Sequence, residues 1–213
     1  MSDNKLIIIH LDYNNIEHRK AAANLHIKLL VDSYLSILGY DFLVEYYYKL
    51  LIKNKIINCL LCVSNSKYIG FAGFTKYPFS FMTIGFKKYF FQFSFFFIKR
   101  IFIKPKIIIL LAKIVKEGIA RKFTKKTTNS LSELLSLGVL SEHSSEKDIV
   151  TGLPASRLLF SNLIKDCKKD GFKDMRVVVK SKNVKALSFY KSVGCKIVND
   201  KFNKDSVELI LSF

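Results

Sequence analysis

Two side chains in this sequence stand where their chemistry could be used. Tyr190 lies in Asn183-Val184-Lys185-Ala186-Leu187-Ser188-Phe189-Tyr190-Lys191-Ser192-Val193-Gly194-Cys195, directly after the run Met175 to Lys180. A phenol, with a pKa of about 10, is protonated at neutral pH and can donate that proton. Glu133 stands near the head of the run Leu131 to Leu140, where the plain reading of a carboxylate is a solvated strand end. Two imidazoles are further candidate bases: His26 in the first helical pattern, and His143 in a polar loop where solvation is the simpler reading. Cys59-x-x-Cys62 has a spacing used for metal or redox work. It lies, however, inside the apolar run Ile57 to Val63, with no second pair and no histidine at ligand spacing, so it reads as two strand cysteines and no metal is expected.

The elements that would position these groups follow from periodicity and punctuation. Asn183 is an N-cap type whose side-chain oxygen can accept from a first-turn amide. Ala186, Phe189, Tyr190 and Val193 share one helical face, and Gly194 is a C-terminal stop, which predicts a helix over about Val184 to Val193. Upstream, Lys5 to Leu11 reads as a strand, Ile16 to Leu30 and Asp41 to Ile52 as helices. Ile57 to Val63 and Tyr68 to Lys76 read as a hairpin turned at Ser64-Asn65-Ser66-Lys67. Leu131 to Leu140 is a strand and Leu153 to Lys169 a long helix ending near Gly171. Met175 to Lys180, the region of Ile197 and Val207 to Leu211 are the remaining strands.

A strand followed by Asn-x-x-Ala-x-x-Phe-Tyr-x-x-x-Gly resembles the last motif of the GCN5-related N-acetyltransferases, which move an acyl group from coenzyme A to an amine. The order of elements agrees with that fold: α/β (α+β), a central mixed, mostly antiparallel twisted sheet flanked by helices, with a helical insertion between the third and fourth strands. The resemblance implies a single domain over 1–213 with acetyl-CoA as co-substrate and no metal. It places the Tyr190 hydroxyl near the thioester as general acid, and Asn183, Ala186 and Phe189 on the cofactor side of the helix. Ser132-Glu133-Leu134-Leu135-Ser136-Leu137-Gly138-Val139 resembles the central strand of these enzymes. There the backbone of Leu137, Gly138 and Val139 would pair with the pantetheine arm, a donor near Val139 would meet the oxyanion, and Glu133 would be the general base. The pyrophosphate loop departs from the family pattern. In Val150-Thr151-Gly152-Leu153-Pro154-Ala155 only Ala155 fits, Gly152 is displaced by one place and Pro154 removes a donor. Gly152, Ala155, Ser156 and Arg157 are the residues left to hold phosphate, beside an acidic stretch carrying Glu142, Glu146 and Asp148 whose charges would repel it.

Composition bounds the partners. The chain has 213 residues, half of them apolar, and a formal net charge of +18. That charge suits an anionic partner: a small ligand, a membrane surface or nucleic acid. Residues 77–128 form an aromatic and basic insertion in which Phe79, Phe81, Phe86, Phe90, Phe91, Phe93, Phe95, Phe96 and Phe97 alternate with Lys87, Lys88, Lys99, Arg100, Lys104 and Lys106, followed by an aliphatic helical pattern from Ile107 to Ile119. No stretch reaches the length of a membrane span. The insertion reads first as a cover over an acceptor site, second as a homodimer surface, third as a face on anionic lipid. Nucleic acid is disfavoured because no RNA-binding signature accompanies the Lys-Phe pattern. Four cysteines without a disulfide framework, and an N-terminus without a signal-peptide pattern, point to the cytoplasm. The function implied is acetyl transfer to a primary amine of a small molecule, an amino sugar among the candidates. The alternative is a catalytically silent binding or scaffolding module that uses the Phe-rich insertion as its interface.

Overall fold

The computed structural model describes residues 5–103, 130–203 and 205–213. The expected hairpin forms as β2 (Ile57–Ser64) and β3 (Lys67–Thr75). Its turn residues Asn65 and Ser66 both have positive φ, 47° and 62°, the conformation a two-residue hairpin needs to match strand twist. Around it one seven-stranded sheet is built in the order β1-β2-β3-β4-β5-β7-β6, with β1 Leu6–His10, β4 Leu131–Val139, β5 Asp174–Lys180, β6 Lys196–Asn203 and β7 Ser206–Ser212. Every pairing is antiparallel except β4 with β5. The mixed, mostly antiparallel sheet flanked by helices is the fold class expected from the sequence.

Each face of the sheet carries its own core. On one face lie α6 (Ala155–Lys169) and α7 (Val184–Ser192), whose Leu159, Phe160, Leu163 and Tyr190 pack with Leu60, Leu134, Met175, Val177 and Leu209. On the other lie α1 (Ile16–Leu29), the short α2 (Tyr34–Leu38) and α3 (Phe42–Leu51), packed with Cys59, Leu61 and Phe71. The two cysteines of the Cys-x-x-Cys stretch therefore point to opposite faces. An i, i+3 pair on a strand cannot converge on one ion. Burial pushes the Cys62 thiol up to about 12 and the Cys59 thiol higher still.

The helix expected over Asp41 to Ile52 is present but wound as a π-helix, α3. Phe42, Leu43, Val44, Tyr46, Tyr47, Tyr48 and Leu51 are all buried, more than one α-helical face can hold. Burial on all sides has a simple source: the sheet lies on one side and the insertion on the other. The insertion forms α4 (Phe81–Lys88) and α5 (Phe90–Ile103), and Phe93 of α5 stands edge-on to both Phe42, 5.8 Å away, and Tyr46, 5.4 Å away. Removing one such ring from water contributes about 1.5–3 kcal/mol. The aliphatic pattern from Ile107 to Ile119 lies outside the described residues.

Candidate active site

The site begins with a defect in β4. Its ladder with β3 pairs Gly73 with Ser136 and Phe74 with Leu134, so Leu135 is an extra residue on β4 and a β-bulge bends the strand there. On the other edge, β4 pairs with β5 from Leu131↔Asp174 to Leu134↔Val177 and no further. Beyond the bulge the two parallel strands part, and a wedge opens between their C-terminal halves.

Ladder phase decides which backbone groups line that wedge. Leu140 N donates to Ile69 O at 2.8 Å, so Leu140, Gly138 and Ser136 direct their amides and carbonyls towards β3. The residues between them, Val139 and Leu137, direct theirs to the open edge. Of the three residues expected to present backbone to a cofactor, Gly138 thus does not. Its role is steric: a Cβ there would stand 2.9 Å from Leu29 Cδ1 of α1.

Beside the end of β4 lies the first half of α6: Val139 Cγ2 and Leu159 Cδ1 both crowd the place of a Cβ on Gly70, at 2.9 and 3.2 Å. Leu158 N, bonded to Pro154 O at 3.0 Å, is the first amide with a helical acceptor, and no side chain caps the turn. The bridge between Lys147 and Pro154 turns the Ala155 amide to the 146–148 segment, so the amides of Ser156 and Arg157 are the free donors at the positive end of the helix dipole, an arrangement that suits an anion. The residues before them are engaged. Asp148 Oδ2 accepts from Thr151 N and Thr151 Oγ1, each at 2.9 Å, and Asp148 O accepts from Gly152 N at 2.7 Å. Leu153 N donates to Thr151 Oγ1 at 3.3 Å and Pro154 has no N–H. Gly152, with φ +68° and open space around it, is a glycine because the turn needs that backbone, and its amide is already bonded. Asp148 Oδ1 also accepts from Leu6 N at 3.2 Å, which ties the loop to β1. The Thr151 amide, first among these bonds, holds the Asp148 carboxyl below the usual range.

The neighbouring acids are tie-downs too. Glu142 pairs with Lys28 at 3.0 Å, and Glu146 bonds His143 Nδ1 at 2.6 Å and Ser64 Oγ at 2.9 Å. Bonding to its own amide and to Lys28 lowers Glu142 to about 2. His143 is thus part of a loop anchor.

Asn183 caps α7 as expected, its Oδ1 accepting from Ala186 N at 3.1 Å. Its oxygen therefore serves the helix, and the residue is exposed. Ala186 and Phe189 are half-buried against the α6 face, where Phe160, Phe189 and Tyr190 form a cluster of edge-on rings 5.2–6.0 Å apart. Tyr190 is buried on the same face as Leu134, with Leu137 and Val139 packed against that core. Burial raises its phenol well above the ordinary value, with the nearby Cys195 adding to the shift. Arg157 Nη2 reaches across to Ser192 Oγ at 3.1 Å, joining the start of α6 to the end of α7.

Glu133 stands on the opposite face with both oxygens bonded. Oε1 accepts from Arg176 Nη1 at 2.6 Å and Oε2 accepts from Phe79 N at 3.0 Å. Arg176 Nε donates in turn to Glu208 Oε1 at 2.6 Å, and the Phe79 ring lies 4.2 Å under the guanidinium. Phe79 has φ +68°, strained for an aromatic residue and held by these contacts. The first residues of the insertion are thereby fastened to β4, β5 and β7. Arg176 and Glu208 were not among the residues singled out by spacing, and Asp148 was expected only as one of the acids that would repel phosphate. The signal for the first two is a charge inside an apolar strand run, Met175 to Lys180 and Val207 to Leu211, which must find a partner when buried.

His26 belongs to the second core and lines no groove. Its Nδ1 bonds Tyr48 Oη at 2.8 Å, its Nε2 bonds Ser33 Oγ at 3.2 Å, and burial lowers it to about 4. Among the described residues no group of three or more His, Cys, Asp or Glu converges as metal ligands, and no helix is long and apolar enough to cross a membrane.

No protein-family model and no curated protein matches this chain. Solved structures do. It is similar to the PaiA N-acetyltransferase from Thermoplasma acidophilum in complex with coenzyme A, with a TM-score of 0.56, 16% identity and coverage of 98% of this chain and 99% of that one. A putative acetyltransferase from Acinetobacter baylyi aligns at TM-score 0.60 and 11% identity, over 100% of this chain and 94% of that one. YncA, a putative acetyltransferase from Salmonella typhimurium solved with acetyl-CoA, aligns at TM-score 0.54 and 16% identity, over 98% and 94%. At such identities the likeness is one of fold.

Proposed function

We propose that this chain, which has the acetyltransferase fold, is an acyl-CoA-dependent N-acetyltransferase that acetylates a primary amine of a small molecule, with amino sugars among the candidates. One observation carries the reading: the backbone of Leu137 and Val139 is turned to the open edge of β4, and α6, whose Ser156 and Arg157 amides are free at its start, packs beside Val139 through Leu159. Acetyl-CoA, when bound, supplies the thioester that the amine attacks.

The chain's own groups divide the work. The Leu137 and Val139 N–H and C=O groups bind an extended, amide-bearing arm as an added strand would. The first-turn amides of α6, with Arg157 beside them, hold phosphate oxygens in place of the bonded Gly152 amide. A strand amide aimed at the developing oxyanion is worth about 3 kcal/mol. Tyr190 keeps its proton throughout the working pH range because it is buried. A phenol with a raised pKa is a weaker acid than the departing thiol, whose pKa is about 8.5, so its first contribution is a hydrogen bond to the leaving sulfur. Deprotonating a lysine-like amine at pH 7 costs about 4–5 kcal/mol. Glu133, fixed by Arg176 and the Phe79 amide, remains the candidate base, acting through water because each oxygen still has a lone pair.

Titration calorimetry with acetyl-CoA and with CoA tests this reading. The expected result is micromolar binding, followed by thiol release with an amine panel that falls in Tyr190→Phe. A second reading has its own observation, the engagement of the 151–153 amides by Asp148 and Thr151. It makes the chain a silent binding module, and it prevails when neither nucleotide gives heat up to millimolar concentration.

A further inference from the structure

The inward side of α5 packs on the second core through Phe93, Phe96, Phe97 and Ile101. Its outer side is also apolar. Phe91, Phe95, Ile98 and Phe102 recur at spacings of four, three and four, forming one ridge along the helix, and are 83%, 64%, 52% and 85% exposed. Scattered exposed apolar residues need no explanation, but a contiguous ridge on a helix that is already anchored does.

Positive charge prevails around that ridge, although Glu45 lies beside Phe91 and Phe95. Between Glu45 and Ile103 the sequence has no Asp or Glu. The acids nearest α5 are paired: Asp41 with Lys99 at 2.9 Å, and Glu45 with Lys49 at 2.8 Å and Arg19 at 3.1 Å. Lys53 and Lys55 at the end of α3, and Lys87 and Lys88 at the end of α4, are exposed. A hydrogen bond from Asn54 Nδ2 to the Tyr89 hydroxyl brings these two ends together, at the start of the ridge.

We infer that the outer face of α5 docks on an anionic lipid surface, its apolar ridge entering the boundary between headgroups and acyl chains while the lysine cluster meets the headgroup phosphates. This is the geometry of an interfacial amphipathic helix, which lies in the surface and does not span it. Three Phe and one Ile supply the apolar contact, and each lysine near an anionic surface adds attraction that salt screens. A second copy fits this face poorly. An isologous contact would set the same lysines against each other, and the acids beside α5, Asp41 and Glu45, are already paired. Single-stranded nucleic acid fits it less well than lipid. Ile98 interrupts the aromatic series, and the two cations that follow it are engaged, Lys99 at the surface with Asp41 and Arg100 Nε with Ile37 O at 2.9 Å.

The full chain contains no tryptophan, so Phe95→Trp reports from the ridge alone. Vesicles of phosphatidylglycerol with phosphatidylcholine are expected to shift its emission to the blue and to carry the protein down on sedimentation, while pure phosphatidylcholine does neither. Raising salt from 0.1 to 0.5 M weakens the partition several-fold. Phe91→Ser with Phe102→Ser lowers it at least tenfold without changing the melting temperature or nucleotide binding. Several outcomes overturn the inference: sedimentation without a blue shift, equal partition onto both vesicle types, a blue shift with a single-stranded oligonucleotide but not with vesicles, or a blue shift that tracks a dimer mass in lipid-free buffer. None depends on whether the site turns over.

Discussion

On the α6 and α7 face of the sheet, the groups we propose for binding and chemistry are mostly backbone: the Leu137 and Val139 edge of β4 and the first amides of α6, with the buried Tyr190 hydroxyl as the side chain among them. On the other face the polar groups are side chains that hold elements together: Glu133, Arg176 and Glu208 under the insertion, and His26, Tyr48 and Ser33 inside the second core. The two faces also differ in what closes them. One is shut by two helices of ordinary amphipathic pattern, the other by an aromatic layer that continues to the outer surface of α5. Binding an extended, uncharged arm needs backbone at fixed phase, which a bulged strand supplies without any particular side chain. Fixing an insertion to a sheet needs directional charge, because apolar packing alone does not set its orientation.

That contrast can be broken at several points. The largest effect is expected from Arg176→Met, which leaves the buried Glu208 and the half-buried Glu133 without their shared cation. Loss of about 3–5 kcal/mol by denaturant unfolding is predicted, and a loss below 1 kcal/mol would show that the charge cluster is not what fastens the insertion. Next comes acid sensitivity of the second core. His26 is lowered from 6.5 to about 4, so the unfolded chain takes the proton first as pH falls. The stability contributed by the neutral ring is complete above about 6.5 and is lost as pH falls towards about 4, an effect of about 3 kcal/mol. His26→Gln should flatten that part of a stability–pH curve, and an unchanged slope would assign it to carboxylates.

Tyr190→Phe keeps the ring cluster and removes only the hydroxyl. We expect kcat to fall by about 10²-fold, with acetyl-CoA affinity and melting temperature nearly unchanged; a fall in affinity alone would make the hydroxyl a binding group. The smallest effect belongs to Asn183→Ala. Loss of the α7 cap is predicted to reduce stability by about 1 kcal/mol and to leave CoA binding within about twofold, since the Asn183 oxygen serves Ala186 N. A large loss of CoA affinity in that variant would return Asn183 to the cofactor side.

Helix α7 was legible because everything that makes it is local: a cap three residues from its donor, apolar positions at helical spacing and a glycine with φ +94° to end it. The hairpin was legible for the same reason, through two turn residues that accept positive φ. Glu133 was legible as a residue but not in its role. Its partners are Arg176, 43 residues away, and Phe79, 54 residues away, and no spacing in the chain announces either. His26 falls in the first helical pattern, and that periodicity leaves open whether the ring faces a groove or the Tyr48 hydroxyl. The π-winding of α3 was hidden because its cause, burial between sheet and insertion, lies outside the segment.

By itself the sequence determined the order of elements, the resemblance carried by Asn183 to Gly194, the cap and stop of α7, and the excess of positive charge, all properties of residues within one or two turns of each other or of the chain as a whole. The tertiary structure alone decided that β4 bulges at Leu135 and parts from β5, that Leu137 and Val139 rather than Gly138 present backbone to the opening, and that Asp148 draws in the Thr151 and Gly152 amides while bonding Leu6, 142 residues away. The reason is that a backbone group has no residue type to read. Its direction depends on which strand lies beside it and in what register, and register is set by contacts between segments far apart in the chain.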